Sequence, residues 1–269
     1  MQTTIPVLTI VFMAVSALIG IAIPAALYLF FHTRMKANHL PFWIGCITFV
    51  LFAFVLEQAA YYFVMKLPLW TTITGNIWLY GVVGGLFAGV FEETGRFVAF
   101  KTVLRKKRAN DANALMYGAG HGGIEAVILL SVTMIGNLIY ALQFNAGSLP
   151  AGATLDAMQT LVNTPSWMFL VGSVERISAV TLHISLSVLV WFAAKNAKQF
   201  WLYPLAIFLH LLVDAVAVIL SGLQVNVWVI ESVVIAITIA LVVLAVTVWK
   251  KNHTTDQPES PEVSSAEEA

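Results

Sequence analysis

The sequence predicts an all-α, polytopic transmembrane helix bundle, and its composition and apolar runs lead to that fold class. Of the 269 residues, 59% are hydrophobic and 10% are charged, and the mean hydropathy is +0.86. Ordinary globular proteins are about 45–50% apolar and about 25% charged. So few ionised side chains cannot coat a soluble core of this size. Several apolar runs also exceed about 18 residues, the length of a transmembrane helix.

Two other classes of protein are disfavoured by the same composition. The formal net charge is +0, and the basic clusters flank apolar runs, which argues against nucleic-acid binding. Cys46 is the single cysteine, so an intrachain disulfide and a multi-cysteine metal centre are excluded. The chemistry must therefore come from polar residues inside the membrane domain.

Seven apolar segments are predicted to cross the membrane, each long enough at about 1.5 Å per residue for a core of about 30 Å. The first is too long for a signal-peptide core and lacks a basic segment before it. Residues 1–249 are predicted to form a single integral membrane domain, and the acidic stretch 250–269 a disordered cytoplasmic tail. The predicted spans are 5–31, 42–65, 76–104, 112–142, 165–194, 200–222 and 226–249.

The loops between the spans predict the orientation. Lys66 is the one cation in the even-numbered loops, whereas eleven cations lie at or after the ends of spans one, three, five and seven. By the positive-inside rule, the N-terminus lies outside, the C-terminus lies in the cytoplasm and the loop 143–164 is external. The clusters contain Arg34, Lys36, Lys101, Arg105, Lys106, Lys107, Arg108, Lys195, Lys198, Lys250 and Lys251.

Ionisable residues within the spans are candidates for function, because a charge in hydrocarbon is costly and rare. Four of them lie at one depth, about 14–18 Å from the predicted cytoplasmic ends of four successive helices. Alternating helices therefore bring one carboxylate and three imidazoles to the same level, which indicates a site. These four residues are Glu92, His121, His183 and His210.

Helical spacing predicts partners for these groups. Arg96 follows Glu92 by four residues and Glu93 by three, so its guanidinium is expected beneath both carboxylates. His121 and His210 each precede an acid by four residues, and that acid can fix a tautomer or receive a proton. The two acids are Glu125 and Asp214.

Three more charged residues have structural interpretations. Glu175 and Arg176 are expected to form an ion pair, with Glu125 or Glu57 as a further partner. Glu231 lies near the outer end of the seventh span and is expected to meet water.

The chemistry that fits the level-matched set is hydrolysis. A carboxylate beside imidazoles can activate water as a general base, and nearby donors can stabilise an oxyanion. The HExxH and GxSxG motifs are absent from the sequence, and Asp214 is the one aspartate within the spans, too few for a paired-aspartate protease. Amide hydrolysis inside the membrane is therefore the expected reaction.

Four segments resemble the YhfC-type membrane peptidases. That family is similar to the CAAX prenyl-proteases, the bacteriocin-processing enzymes and the PrsW-like proteases, a glutamic-type group of intramembrane proteases. The resemblance extends over residues 92–214. Its motifs are EETGR at 92–96, YGAGHGGIEA at 117–126, ERISAVTLHISLSVLV at 175–190 and HLLVD at 210–214.

The resemblance implies a role for each matching residue. Glu92 becomes the base, Glu93 and Arg96 support it, and His121 is its partner in activating water. His210 and Asp214 form the oxyanion side. The supporting residues implied are Tyr117, Glu125 and His183.

The expected function is hydrolysis of a peptide bond in a membrane-embedded or membrane-adjacent protein or peptide, without a cofactor. One alternative is a zinc-dependent membrane protease, with Glu92, His121 and His210 as the Zn²⁺ ligands and water in the fourth position. A non-catalytic scaffold and a proton-coupled transporter are further alternatives. The expected partners are the peptide substrate and the lipid bilayer of a bacterial plasma membrane, with no nucleic acid; the oligomeric state is left open.

Overall fold

Helices build most of the part of the chain described by the computed structural model, residues 4–149 and 151–253. No β-strand occurs within those residues, and the predicted all-α class is confirmed. The helices are α1 (Val7–Met35), α2 (Leu40–Phe49), α3 (Gln58–Val64), α4 (Leu69–Thr74), α5 (Ile77–Lys101), α6 (Ala112–Ala126), α7 (Thr133–Asn145), α8 (Leu155–Asn163), α9 (Met168–Lys195), α10 (Leu202–Gly222) and α11 (Val227–Asn252).

Six helical stretches of the described residues are long and apolar enough to cross a membrane, and each coincides closely with a predicted span. The protein is therefore a multi-pass membrane protein. The third predicted span corresponds to α5, which has 25 residues but carries four charged residues, and it is not among the six. The count of seven spans and the orientation stay predictions. The six stretches are Val7–Met35, Leu40–Val64, Ala112–Asn145, Met168–Lys195, Ala197–Gly222 and Val227–Asn252.

Two long helices contain a π-helical segment. Val50–Glu57 joins α2 to α3, and Val127–Val132 joins α6 to α7. A π-turn holds more residues than an α-turn, so it changes which side chains face the bundle, and such turns are frequent near functional sites. The second segment begins two residues after Glu125, on the helix that also carries His121.

Two predicted boundaries differ from the structure. The tail was expected to begin at residue 250, but α11 continues to Asn252, and residues 254–269 lie outside the described part of the chain. The loop 143–164 contains α8, whose Met158 and Val162 are buried. Burial of two apolar side chains on one face makes this segment a packed helix instead of a fully solvated connection.

A row of glycines brings α5 against α10. A Cβ atom on Gly85 would lie 2.5 Å from the Leu211 carbonyl oxygen, and one on Gly89 would lie 2.7 Å from that of Ile207. Glycines let membrane helices approach closely. Glu93 follows Gly89 by four residues and lies on the same face of α5, which directs its carboxylate towards α10.

A second group of glycines brings α6 against α9. A Cβ atom on Gly118 would lie 2.6 Å from the Ile184 Cα, and one on Gly122 would lie 3.0 Å from the Val180 Cα. His121 lies between these two glycines in sequence. The close approach of the two backbones therefore positions His121 near the residues of α9.

Candidate functional site

Four helices bring the charged residues of the spans together in the middle of the bundle. We call Glu92, Glu93, Arg96, His121, His183 and His210 the Glu92 cluster; all six are buried. α5 carries the first three residues, and α6, α9 and α10 carry one histidine each. Neighbouring imidazole ring centroids are 4.8 Å apart for His121 and His183, and 5.4 Å apart for His183 and His210. These separations agree with the common depth that the sequence predicts.

Glu92 and His121 form the first contact of the cluster. The His121 Nε2 atom lies 2.9 Å from Glu92 Oε2 and donates to it. The ring is held from the sides, because Phe49 packs edge-on at 5.3 Å and Tyr117 stacks at 5.9 Å. The expected pairing of His121 with Glu125 is wrong, since Glu125 contacts a different histidine.

Glu93 and Arg96 form a buried ion pair, and neither side chain is exposed to solvent. The other Glu93 oxygen, Oε1, lies 2.8 Å from His210 Nδ1. Arg96 was expected beneath both glutamates, but its second guanidinium nitrogen lies 3.1 Å from His183 Nδ1 instead. Arg96 thus neutralises Glu93 and leaves Glu92 to the histidines.

His183 has a defined tautomer in this arrangement. Arginine only donates hydrogen bonds, so His183 Nδ1 accepts from Arg96 and the ring hydrogen is on Nε2. The Nε2 atom lies 2.6 Å from Glu125 Oε2, and the Nδ1 atom lies 3.9 Å from Glu92 Oε2. A carboxylate that holds the far nitrogen of a histidine is the usual second shell of a metal ligand.

Glu125 is itself held by Arg176, which also binds Glu175. The Arg176 Nε atom lies 2.6 Å from Glu175 Oε2. The predicted ion pair of Glu175 and Arg176, with Glu125 as a further partner, therefore forms. Through Glu125, the ion pair contacts the Nε2 side of His183, and its link to Glu92 runs through that histidine.

Glu92, His183 and His210 are a candidate metal site. Each offers one ligand atom, and the three atoms lie within 4.8 Å of one another. One carboxylate and two imidazoles form a zinc donor set that leaves a position for water. Glu125 and Glu93 hold the opposite nitrogens of His183 and His210. The donor set therefore fits a metal, with His183 in the place where the sequence predicted His121.

The Glu92 cluster faces a polar cavity of about 130 Å³, which is large enough for water. Asp214 lies at its wall, 3.4 Å from His210 Nε2, and its side chain is 35% exposed. Glu231 was expected to meet water, but it is only 6% exposed and lines this cavity. The other polar or charged residues at the wall are Glu92, Glu125, Glu175, Arg176, Ser178, His183, His210 and Thr238.

Four buried polar atoms in and beside the Glu92 cluster have no hydrogen bond of good geometry within residues 4–149 and 151–253. They are Arg96 Nε, His121 Nδ1, Tyr117 Oη and Glu125 Oε2. Buried polar atoms in native proteins are nearly always paired, and the exceptions often mark chemistry or an unplaced ligand. The Glu92 cluster therefore has donor and acceptor capacity beyond its internal contacts.

Three features of the site were missed by sequence reasoning. The contacts of His183 with Glu125 and of His210 with Glu93 join different helices, and spacing along one helix gives no signal for them. Nothing in the sequence distinguishes Thr238 from the other hydroxyl residues of the apolar spans, so its place at the cavity could not be predicted. A signal was available for Glu231, since an ionisable residue within a predicted span is a candidate for function.

Comparisons with known proteins show the family of the chain. The family described as YhfC intramembrane metalloprotease matches residues 19–236, a range that contains the whole Glu92 cluster. The uncharacterized membrane protein YhfC of Bacillus subtilis (strain 168) is 34% identical over 220 residues, which cover 78% of this chain and 84% of that protein. No solved structure matches the chain. Both the length of the family match and the identity to the Bacillus protein show that the chain belongs to the YhfC intramembrane metalloprotease family.

Proposed function

We propose that this protein hydrolyses a peptide bond in a membrane-embedded or membrane-adjacent protein or peptide, and that the reaction depends on a metal. The observation that carries the proposal is the buried set of Glu92, His183 and His210, which faces a polar cavity. A carboxylate and two imidazoles are costly in a membrane interior. The family description supports the same activity.

Glu92, His183 and His210 would hold the metal. A bound Zn²⁺ ion supplies an activated water and polarises a carbonyl oxygen. Glu125 lies against Nε2 of His183, so Nδ1, which faces Arg96, is the nitrogen that would ligate the metal. Glu93 accepts from Nδ1 of His210 and leaves Nε2 for the centre.

The remaining residues of the site have roles other than binding the metal. His121 donates to Glu92 and orients its carboxylate. Arg96 balances the charge of Glu93, so a second buried carboxylate does not repel the first. Asp214 is partly exposed at the cavity wall and adds negative charge beside His210.

A glutamic mechanism is a second candidate, and the contact of His121 with Glu92 favours it. In that reading Glu92 removes a proton from water directly, and His121 then stabilises the oxyanion or the new acid. The two candidates share Glu92 and differ in the part of His183, which is a ligand in the first and a neighbour in the second.

Metal analysis of the purified protein separates the candidates. We expect about one zinc per chain for wild type, with the amount greatly reduced in His183→Ala and retained in His121→Ala. Cleavage of a reconstituted membrane peptide should stop with a chelator and return with zinc. A metal-free protein that cleaves the peptide would leave the glutamic mechanism in place. Loss of zinc in His121→Ala but not in His183→Ala would restore the ligand set that the sequence predicted.

A further inference from the structure

Two residues of α11 face the cavity without a partner. Glu231 and Thr238 are seven residues apart, so they lie on the same side of the helix, and they are 6% and 5% exposed. Both line the cavity that Glu92 lines. Within the described part of the chain, neither Glu231 Oε2 nor Thr238 Oγ1 has a hydrogen-bond partner.

Such a pair is unusual, because a buried polar atom without a partner is unfavourable. Two of them on one helix face, aimed into the same cavity, indicate that a ligand completes their hydrogen bonds. The contacts described above for the Glu92 cluster involve neither residue. The unmatched face of α11 is therefore separate from the groups that perform the chemistry.

The charge of the cavity wall defines what that ligand carries. Five carboxylates line the cavity, against Arg176 as the one guanidinium at its described wall. Arg176 is already bonded to Glu125 and Glu175, so it is not free to balance Glu231. A cationic group complements this surface. The five acids are Glu92, Glu125, Glu175, Asp214 and Glu231.

A groove on the lipid-facing surface adjoins the cavity. A groove of about 260 Å³ between α9 and α11 shares Ser178 and Thr238 with the cavity wall. Its outer rim is apolar, and Ile177 and Ile239 are more than half exposed. An apolar peptide segment in this groove would therefore lie next to the cavity wall at Ser178 and Thr238.

We infer that Glu231 and Thr238 form a substrate subsite, in which Glu231 binds an ammonium or guanidinium group of a membrane-embedded peptide and Thr238 binds its backbone. The inference rests on the proposed function, because it names the class of peptide that the same site receives. Glu231 and Thr238 are about 10 Å apart along α11. That distance corresponds to about three residues of extended peptide, so the cation lies about three residues from the position at Thr238.

A matched pair of peptides tests this subsite. The probe is a synthetic apolar peptide of about 20 leucine and alanine residues with one lysine, and its partner has norleucine at that position. Binding to the full-length protein in nanodiscs is measured for both peptides. We expect wild type to bind the lysine peptide about tenfold more tightly, as for one charge-assisted hydrogen bond. Glu231→Gln should bring that ratio to about one without changing the affinity for the norleucine peptide.

Other variants separate this role from a general effect on the fold. Glu231→Asp keeps the charge and should keep most of the preference. Thr238→Val should weaken both peptides equally, because it removes a contact with the backbone. Glu57→Gln removes another buried carboxylate that is not at this cavity wall, and the ratio should stay at the wild-type value. Peptides acetylated at the N-terminus test whether the cation is the lysine side chain or the terminal amine. The preference survives this acetylation if the lysine side chain supplies the cation.

Three outcomes would overturn the inference. The first is equal binding of the two peptides by wild type, and the second is a preference that persists in Glu231→Gln. The third is a loss of zinc in Glu231→Gln with no peptide preference, which would assign the carboxylate to an inorganic cation. Cleavage is measured separately: preferential binding without cleavage would reject the proposed function and keep the subsite, whereas cleavage without preference would do the reverse.

Discussion

Two buried polar clusters occupy different depths of the same helices, and they are built differently. The Glu92 cluster lies in the middle of the bundle. The second, which we call the Asp111 clamp, lies where α6 begins and where α9 and α11 end. In the clamp, Asp111 Oδ1 accepts from Trp191 Nε1 at 2.8 Å and from Lys195 Nζ at 2.7 Å, and Oδ2 lies 3.0 Å from His253 Nδ1.

The difference between the clusters is in how completely their polar atoms are paired. Both oxygens of Asp111 are bonded to cations or donors, and the carboxylate has no exposure. In the Glu92 cluster Arg96 Nε and His121 Nδ1 lack partners within the described residues, and the cluster faces a cavity. A fully paired cluster stabilises one arrangement of helices, whereas an incompletely paired one retains atoms for a ligand. Charge and burial alone do not distinguish the two cases.

The largest expected effect concerns Glu92→Gln. The amide keeps the size of the side chain and an oxygen for His121, but it can neither remove a proton nor bind a metal strongly. We expect cleavage to fall about 10²–10⁴-fold, with the unfolding temperature close to that of wild type. Single-turnover cleavage and thermal unfolding in the same detergent measure both quantities. A large loss of stability would show that the Glu92 cluster stabilises the fold as the Asp111 clamp does, and would contradict the proposed difference between them.

Asp111→Ala should have the opposite result. Removing the carboxylate leaves the Trp191 indole and the Lys195 ammonium without their acceptor, so the free energy of unfolding should fall by about 3–5 kcal/mol. Cleavage per folded molecule should stay near the wild-type rate. The exposed Asp156 is the matched control, and Asp156→Ala should cost less than about 1 kcal/mol. Denaturation in mixed micelles measures these changes.

Glu125→Gln should have an intermediate effect. The amide still contacts His183, but it is a weaker acceptor for the Nε2 hydrogen and no longer neutralises Arg176. We expect zinc affinity to fall about 10–100-fold, as for other carboxylates that contact a metal-ligating histidine. Glu175→Gln is the control, because Glu175 is partly exposed and contacts Arg176 without touching His183. Equal effects of the two substitutions would show that the ion pair acts as a unit and does not orient His183.

The smallest effect is expected for His253→Ala. His253 is one of three partners of Asp111 and is about one-third exposed, so Trp191 and Lys195 still satisfy the carboxylate. The free energy of unfolding should fall by less than about 1 kcal/mol, and salt should reduce the difference further. An effect as large as that of Asp111→Ala would mean that the clamp depends on the end of α11.

Sequence alone predicted the helices and the level of the site. Six of the seven predicted spans agree with helices long and apolar enough to cross a membrane, and α5 fills the remaining position. Hydrophobic length decides these elements, and it is a local property of the chain. The common depth of Glu92, His121, His183 and His210 was predicted from counting residues, because rise per residue is nearly constant in a helix.

The pairing of side chains was not predictable in the same way. Spacing of four residues assigned Glu125 to His121, yet the structure places Glu125 against His183 and turns His121 to Glu92. A contact along one helix competes with contacts to its neighbours, and the rotation of each helix decides which of them forms. The glycines of α5 and α6 fix that rotation through close backbone approach. The residue spacing within a single span does not predict the rotation of that helix.

The Asp111 clamp also determines which parts of the chain share a side of the membrane. It ties the end of α11 to the start of α6, directly after the basic segment Arg105–Lys107. At the far end of the continuous helix Ala112–Asn145, the Ile5 backbone N–H donates to the Asn145 side chain at 2.7 Å. Position 253 and the basic segment therefore lie on the same side of the membrane, and residue 5 lies on the opposite side. A single membrane-impermeant label at any of these places fixes the sidedness of the whole bundle.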